Sequence, residues 1–336
     1  MIINDLGKDT NLEEDIFFQT GERLEDQNHD SILLAAAEAG MIAALNYLTE
    51  EKREEVMLGL ELGSELNAGQ LAQAESVPVN LEGLLAMRGH EHAFELKFME
   101  QILDVAGARG HLDACGSKSF NEPVFQAFKT VHEVSLDIIA GKCNPRQGYD
   151  KVLTQRANLL STEGFRNLHV DHPEDRALLR LLTMGRTTDI QQAELFSTTF
   201  NALDKIAKDQ LVAGLNVDGI ANETAVVPYY MPCLLSTVLE TIKDWDHQTK
   251  NGALTSVWRF LAKVLSPHHG LSGGPENPGG DDRGQSGIVI ERNLKSVLDI
   301  VKSPAFATDP AVLVDCELPR GQIQRRQSKT KSWEDL

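Results

Sequence analysis

The sequence predicts an all-α protein, built as a single large multi-helix globular domain. Three observations carry that expectation. Apolar residues recur at three-and-four spacing through most of the first 265 positions, the mark of helices with one buried face. Ser, Thr, Asp or Asn stands ahead of several of those stretches, where a helix start needs a side-chain acceptor. Only residues 311–314 read as a strand, too short to imply a sheet. With 336 residues, 41% of them hydrophobic, the chain has material for a sizeable core.

Residues 31–62 carry Leu33, Leu34, Ala37, Met41, Ala44, Leu45 and Leu48, then Val56, Leu60 and Leu62. This predicts two helices, the first capped by Asn28 or Asp30 and the second opened by Thr49 with Glu50 and Glu51. A connection spans 69–80. Residues 92–105 form a broad helical stripe through Phe94, Phe98, Ile102 and Val105, stopped by the Gly-Ala-Arg-Gly of 107–110. Asn121 caps a helix through Phe125, Phe128, Val131, Val134 and Ile138 to Gly141, and Cys143, Asn144 and Pro145 close that unit. Pro173, Glu174 and Asp175 open a helix through Ala177, Leu178, Leu181 and Leu182, and one further helix is expected over 189–211. Residues 226–232 hold too much proline for a helix interior, and helical periodicity resumes at 233–243 and 253–265.

Residues 266–287 contain seven glycines and three prolines, the composition of a surface loop. The expected organisation is therefore a helical domain over 1–265, a Gly/Pro-rich loop over 266–287, and a C-terminal helical segment over 288–318 packed on the same domain. That segment includes a short helix near 291–301. A flexible, disordered basic tail follows over 319–336, with Arg320, Arg325, Arg326, Lys329 and Lys331. Arg325, Arg326, Gln327 and Ser328 resemble a basophilic kinase site, at which a phosphate would add about −1.5 to −2 charge.

A net charge of −18 opposes attraction to phosphate backbones or anionic lipid, so neither nucleic acid nor membrane is expected as a partner. The four cysteines, Cys115, Cys143, Cys233 and Cys316, are far apart without a C-x-x-C pair, which favours free thiols in a reducing compartment. The acidic first residues lack the pattern of a secretory or transit peptide, and no apolar run reaches eighteen residues, so a cytoplasmic protein is expected. The glycine signatures of P-loop NTPases, dinucleotide-binding folds and serine-hydrolase elbows are missing, as is the aspartate-rich motif of class I terpene cyclases.

Candidate chemistry concentrates between residues 88 and 115, where His90, His92 and His111 gather with Asp104, Asp113 and Cys115. Imidazole and carboxylate suit zinc, iron or manganese. His90, His92, Asp104 and, from the next helix, His132 are the expected ligands of a divalent transition metal, with His111 and Asp113 as catalytic acid–base groups. Two positions apart on a helix are separated by roughly 200°, so His90 and His92 share an ion only if His90 precedes the helix, which Gly89 permits. The alternative is that each histidine bonds backbone or a nearby carboxylate; for His132 these include Glu133 and Asp137. A second cluster, His169, Asp171 and His172, stands before a helix and supplies His169 and Asp171 as further catalytic candidates. Arg166, Arg176, Arg180 and Arg186 flank it. Arg176 and Arg180 are expected to anchor an anionic substrate near that helix start, unless Asp171 caps the helix and the arginines pair with the chain's surplus acids.

Residues 98–107, Phe-Met-Glu-Gln-Ile-Leu-Asp-Val-Ala-Gly, resemble the helix end of the HD-domain superfamily, helical metal-dependent phosphohydrolases and oxygenases. There a His-Asp pair is followed by a hydrophobic residue and glycine. Leu103 stands here where the histidine belongs, ahead of Asp104, so the resemblance implies a similar fold with altered or lost metal chemistry. His29 and Asp30 form the one adjacent His-Asp pair, in the setting of a helix start.

The expected function is a metal-assisted enzyme, a hydrolase or oxygenase of HD-like type, acting on a small anionic molecule. Two alternatives stay open: a non-catalytic helical interaction or scaffold protein, and a metal-free isomerase or cyclase. The last would use His and Asp for proton transfer in an apolar pocket of Phe94, Phe98, Phe125 and Tyr229.

Overall fold

A computed structural model describes residues 4–24, 29–108, 119–220, 223–267 and 285–327, with the backbone alone described at 285–287 and 323–327. The protein is mainly α-helical, as expected, with one small sheet. Its contacts divide it into two compact units, one drawn from Met1–Leu71 and Asn80–Gly148, the other from Ala72–Val79 and Tyr149–Lys329.

The first unit contains α1 (Thr10–Thr20), α2 (His29–Glu38), α3 (Glu50–Glu65), the start of α4 (Ala68–Ala72), α5 (Glu91–Gly107) and α6 (Glu122–Ile139). The helix expected to continue beyond residue 38 stops there because Gly40 turns the chain at φ +73°, and Ala43–Tyr47 forms a 3-10 turn instead. Asp30 lies inside α2 and Asn28 is outside the described residues, while Thr49 caps α3 by accepting from the Lys52 amide. Ile16, Ile32, Leu33, Ala36, Ala37, Ile42, Leu45 and Leu60 form one apolar cluster. Phe98 of α5 meets Phe128 of α6 with ring centroids 6.1 Å apart.

A further helix, α7 (Pro145–Thr162), begins where the sequence predicts a closing turn. Asn144 accepts from the Gln147 amide at 2.8 Å while the Gln147 side chain accepts from the Asn144 amide at 3.0 Å. This reciprocal capping box makes Pro145 the first helical residue and not a terminator.

The second unit takes up α7 from Tyr149, then α8 (Pro173–Met184), α9 (Ile190–Asn201), α10 (Lys205–Asn216), β1 (Thr224–Tyr229), α11 (Met231–Ile242) and α12 (His247–Val264). It ends with β2 (Gln285–Asn293), α13 (Val297–Val301), α14 (Pro304–Thr308), α15 (Val312–Asp315) and β3 (Gly321–Gln327). The single helix expected over 189–211 is two, because Asp204 accepts from the Ala207 amide and starts α10 afresh. The core is built on Trp258, whose indole packs edge-on against Phe196 and donates to Thr199 Oγ1 at 2.8 Å.

The sheet has strand order β1-β2-β3. β1 and β2 run parallel with Val226 opposite Ile290, and β2 and β3 antiparallel with Ile290 opposite Ile323. A parallel pair needs a long crossover, and α11 and α12 lie within it. Pro228 is tolerated because β1 is an edge strand. Three segments differ from expectation. The segment 311–314 is helical, not extended; residues 291–293 finish a strand before α13 begins; and residues 321–327 of the supposed tail pair with β2. The 268–284 part of the glycine-rich loop and residues 328–336, including Ser328, are outside the described residues. Among the described helices none is long and apolar enough to cross a membrane.

Candidate functional site

Among the described residues the histidines do not gather. His90 is exposed and stands just ahead of α5, with no side-chain cap bond. His92 points to Glu55 of α3, Nδ1 to Oε1 2.9 Å, and Asp104 is exposed on the last turns of α5. His132 bonds Glu95 Oε1 through Nε2 at 2.8 Å, not Glu133 or Asp137, while its ring packs 4.9 Å from Phe98. Each described imidazole of this window with a partner is thus tied to a single carboxylate on a neighbouring helix. Among the described residues no three His, Cys, Asp or Glu side chains form a group able to hold a metal ion. His111 and Asp113 lie outside the described residues. Cys143, Cys233 and Cys316 stand outside any disulfide.

In the second unit His169 and Asp171 are exposed ahead of α8. Asp171 does not cap that helix. Asp175, in its first turn, organises the approach instead, accepting from the His169 amide at 3.2 Å and from Arg166 at 2.8 Å.

Arg176 and Arg180, expected to face a substrate, are completely enclosed. Arg176 donates to Asp150 at 2.8 Å and to Asp218 at 3.3 Å. Arg180 gives Nε to the Ala74 carbonyl (3.1 Å), Nη1 to Leu215 (3.1 Å) and Nη2 to the carbonyls of Glu75 and Ser76 (3.4 and 3.0 Å). Tyr149 donates its hydroxyl to the same Ala74 carbonyl at 2.9 Å, and both guanidinium groups lie within 5.7 Å of its ring centre. Burial lowers the Arg180 pKa and raises that of Tyr149. Both arginines are structural cations: Arg180 holds the carbonyls of residues 74–76, while Arg176 ties Asp150 of α7 to Asn216 at the end of α10 and Asp218 beyond it. A buried charge persists only where its donors are matched in this way.

What that segment presents is Glu75, a carboxyl group on a residue only 4% exposed. Its Oε1 accepts from the Tyr230 amide at 2.6 Å, at the point where β1 turns into α11. The sequence builds this turn directly: a strand ending at Tyr229, then Tyr230 in the left-handed region at φ +72°, then Pro232 in the first turn of the helix. Val77 and Val79 seat the segment against Ala225, Val227 and Val289 of the sheet. Gly219 lets it approach, since a Cβ there would stand 2.7 Å from Val79.

Two influences oppose each other at Glu75. Amides at a helix start favour the carboxylate, while enclosure favours the neutral acid. Enclosure wins: burial, aided by Glu291, pushes Glu75 from 4.5 up to about 8 against the amides of Tyr230 and Met231 and the charge of Arg186. The neighbouring Tyr229 phenol is also pushed up, by burial first and then by Tyr230, Glu75 and Glu291. The two tyrosine rings lie 4.4 Å apart between centroids.

Backbone strain collects at the same place. Among the described residues the non-glycine positions with positive φ are Ala74, Arg186 and Tyr230. One adjoins Glu75, one bonds it, and one acts on its charge while holding Gln73 through two bonds of 2.8 and 2.6 Å. Such conformations cost about 1–3 kcal/mol each and cluster at working sites. Neither Glu75 nor Tyr230 carried a signal in the sequence; Tyr229 did, as a pocket residue, and the prolines around it marked the turn.

The chain belongs to DUF6829, a family of unknown function, over residues 1–313. No curated protein and no solved structure matches it.

Proposed function

We propose that the protein is a metal-independent acid–base enzyme whose proton carrier is Glu75, nearest to the isomerase or cyclase among the three expected functions. The observation that carries this reading is a single one: an enclosed carboxyl group bonded to the Tyr230 amide at a strained strand-to-helix turn, where burial pushes its pKa up to about 8. A group with a pKa near the working pH both gives and retrieves a proton efficiently, and burial with specific charge neighbours is how such tuning is achieved. Glu75 would donate its proton to a carbonyl or leaving oxygen of the substrate and recover one as the anion, steadied by the Tyr230 amide. Tyr229, kept neutral, offers a second hydroxyl donor beside it. Arg186, exposed near Glu75, is the cation a small anionic substrate would meet, in place of the enclosed Arg176 and Arg180.

The metal-assisted, HD-like reading has no support in the described ligand set. Metal analysis of the purified protein with His92→Ala and His111→Ala as controls tests it separately. The proton-transfer reading is tested by screening small carbonyl and carboxylate compounds by ligand-observed NMR against the native protein, Glu75→Gln and Arg186→Gln. Compounds that bind the native protein and are lost in both variants support it; compounds that bind all three alike contradict it.

A further inference from the structure

Helix α1 of the first unit carries a feature unrelated to the proton site. Glu13 and Phe17, and Glu14 and Phe18, are each four residues apart, so two carboxylates stand beside two aromatic rings on the outer side of the helix. Phe18 is 82% exposed, although its neighbour Ile16 is buried in the core cluster. The helix stops at Gly21, at φ +75°, whose amide bonds the Phe17 carbonyl at 2.8 Å. That reversal brings Arg23 over the Phe17 ring, 4.8 Å from its centre. Glu13, Glu14, Phe17, Phe18, Arg23 and Leu24 together line a groove of about 360 Å³.

We propose that this groove docks a short basic segment of a partner protein, with an aliphatic side chain seated on Phe17, Phe18 and Leu24 and a lysine or arginine laid over Phe18 toward Glu14. The chain already shows the chemistry in its own Arg23 on Phe17, a cation over an aromatic face. Phe18 offers a second, open face with a carboxylate one turn away. A net charge of −18 favours a basic partner's approach. The volume sits at the small end of the range for ligand sites, enough for a few anchoring side chains and not for a whole helix.

The test uses the full-length protein and a fluorescent fourteen-residue lysine–leucine peptide, with a glutamate–leucine peptide of the same pattern as control. The expected result is saturable binding of the lysine peptide, weakened at least tenfold by Phe18→Ala and by Glu13→Gln with Glu14→Gln, and weakened by added salt, with no binding of the control. Because Phe18 is largely outside the core, the variants are expected to melt as the native protein does, so a loss of binding cannot be assigned to unfolding. Binding unchanged in both variants would mean diffuse attraction to an acidic chain and overturns the proposal. So does sedimentation showing a native dimer that Phe18→Ala dissociates, since a second copy would then own the groove.

Discussion

Burial pushes the Glu75 carboxyl from 4.5 up to about 8, so the folded protein is expected to keep a proton there under conditions where the unfolded chain has released it. Between pH 4.5 and about 8 the native state therefore holds the extra proton, and stability falls as pH rises through that window, by up to about 1.4 kcal/mol per unit. Urea unfolding at several pH values should show this fall in the native protein and its loss in Glu75→Gln; an equal slope in both would falsify the assignment. Arg180 makes the opposite kind of prediction. Its donors hold the carbonyls of residues 74–76 and 215, so Arg180→Met leaves buried acceptors unmatched and should cost on the order of 3 kcal/mol or more at every pH. Arg176 and Arg180 stood out in the sequence through their one-turn spacing, but spacing does not reveal which way a side chain faces. Glu75 was one acid among fifty acidic residues, and what distinguishes it is burial, a property of packing between segments distant in the chain.

At the level of elements, legibility followed local chemistry. The helix starts at Thr49 and Asn121 stand where the sequence placed them, because an N-cap acts on amides two or three residues away. Helix α7 is not legible in the sequence although Asn144 and Gln147 form a capping box, since a proline after a helix end marks a stop as readily as a start. Asn144→Ala should cost about 1 kcal/mol. Gly148→Ala should cost about 1–3 kcal/mol, because the added Cβ would lie 2.6 Å from Ile138; a thermal melt of each variant checks both. The sheet was illegible for a different reason. β1, β2 and β3 are far apart in sequence, and each is short or polar enough to read as loop, so only their pairing defines them. The Pro228 and Pro232 pattern excluded helix between them without saying that Tyr230 would turn a strand into α11.

For the whole molecule, the all-α expectation held while the expected metal centre did not assemble from His90, His92, Asp104 and His132, each of which lies at a surface or against its own neighbour. Residue density along a chain counts ligands but does not orient them, and a helix turns successive side chains apart by about 100°. The proposed metal-independent chemistry gives a prediction at this scale: chelation followed by zinc, iron or manganese should leave the melting temperature unchanged, and a metal-dependent rise lost in His92→Ala would argue the reverse. The reading as an acid–base enzyme stands on the proton at Glu75, and carbon-detected NMR of glutamate-labelled protein, with Glu75→Gln to assign the signal, observes that proton directly. The Glu75 carboxyl resonance should titrate with a midpoint near pH 8; a midpoint at the ordinary glutamate value near 4.5 would contradict it.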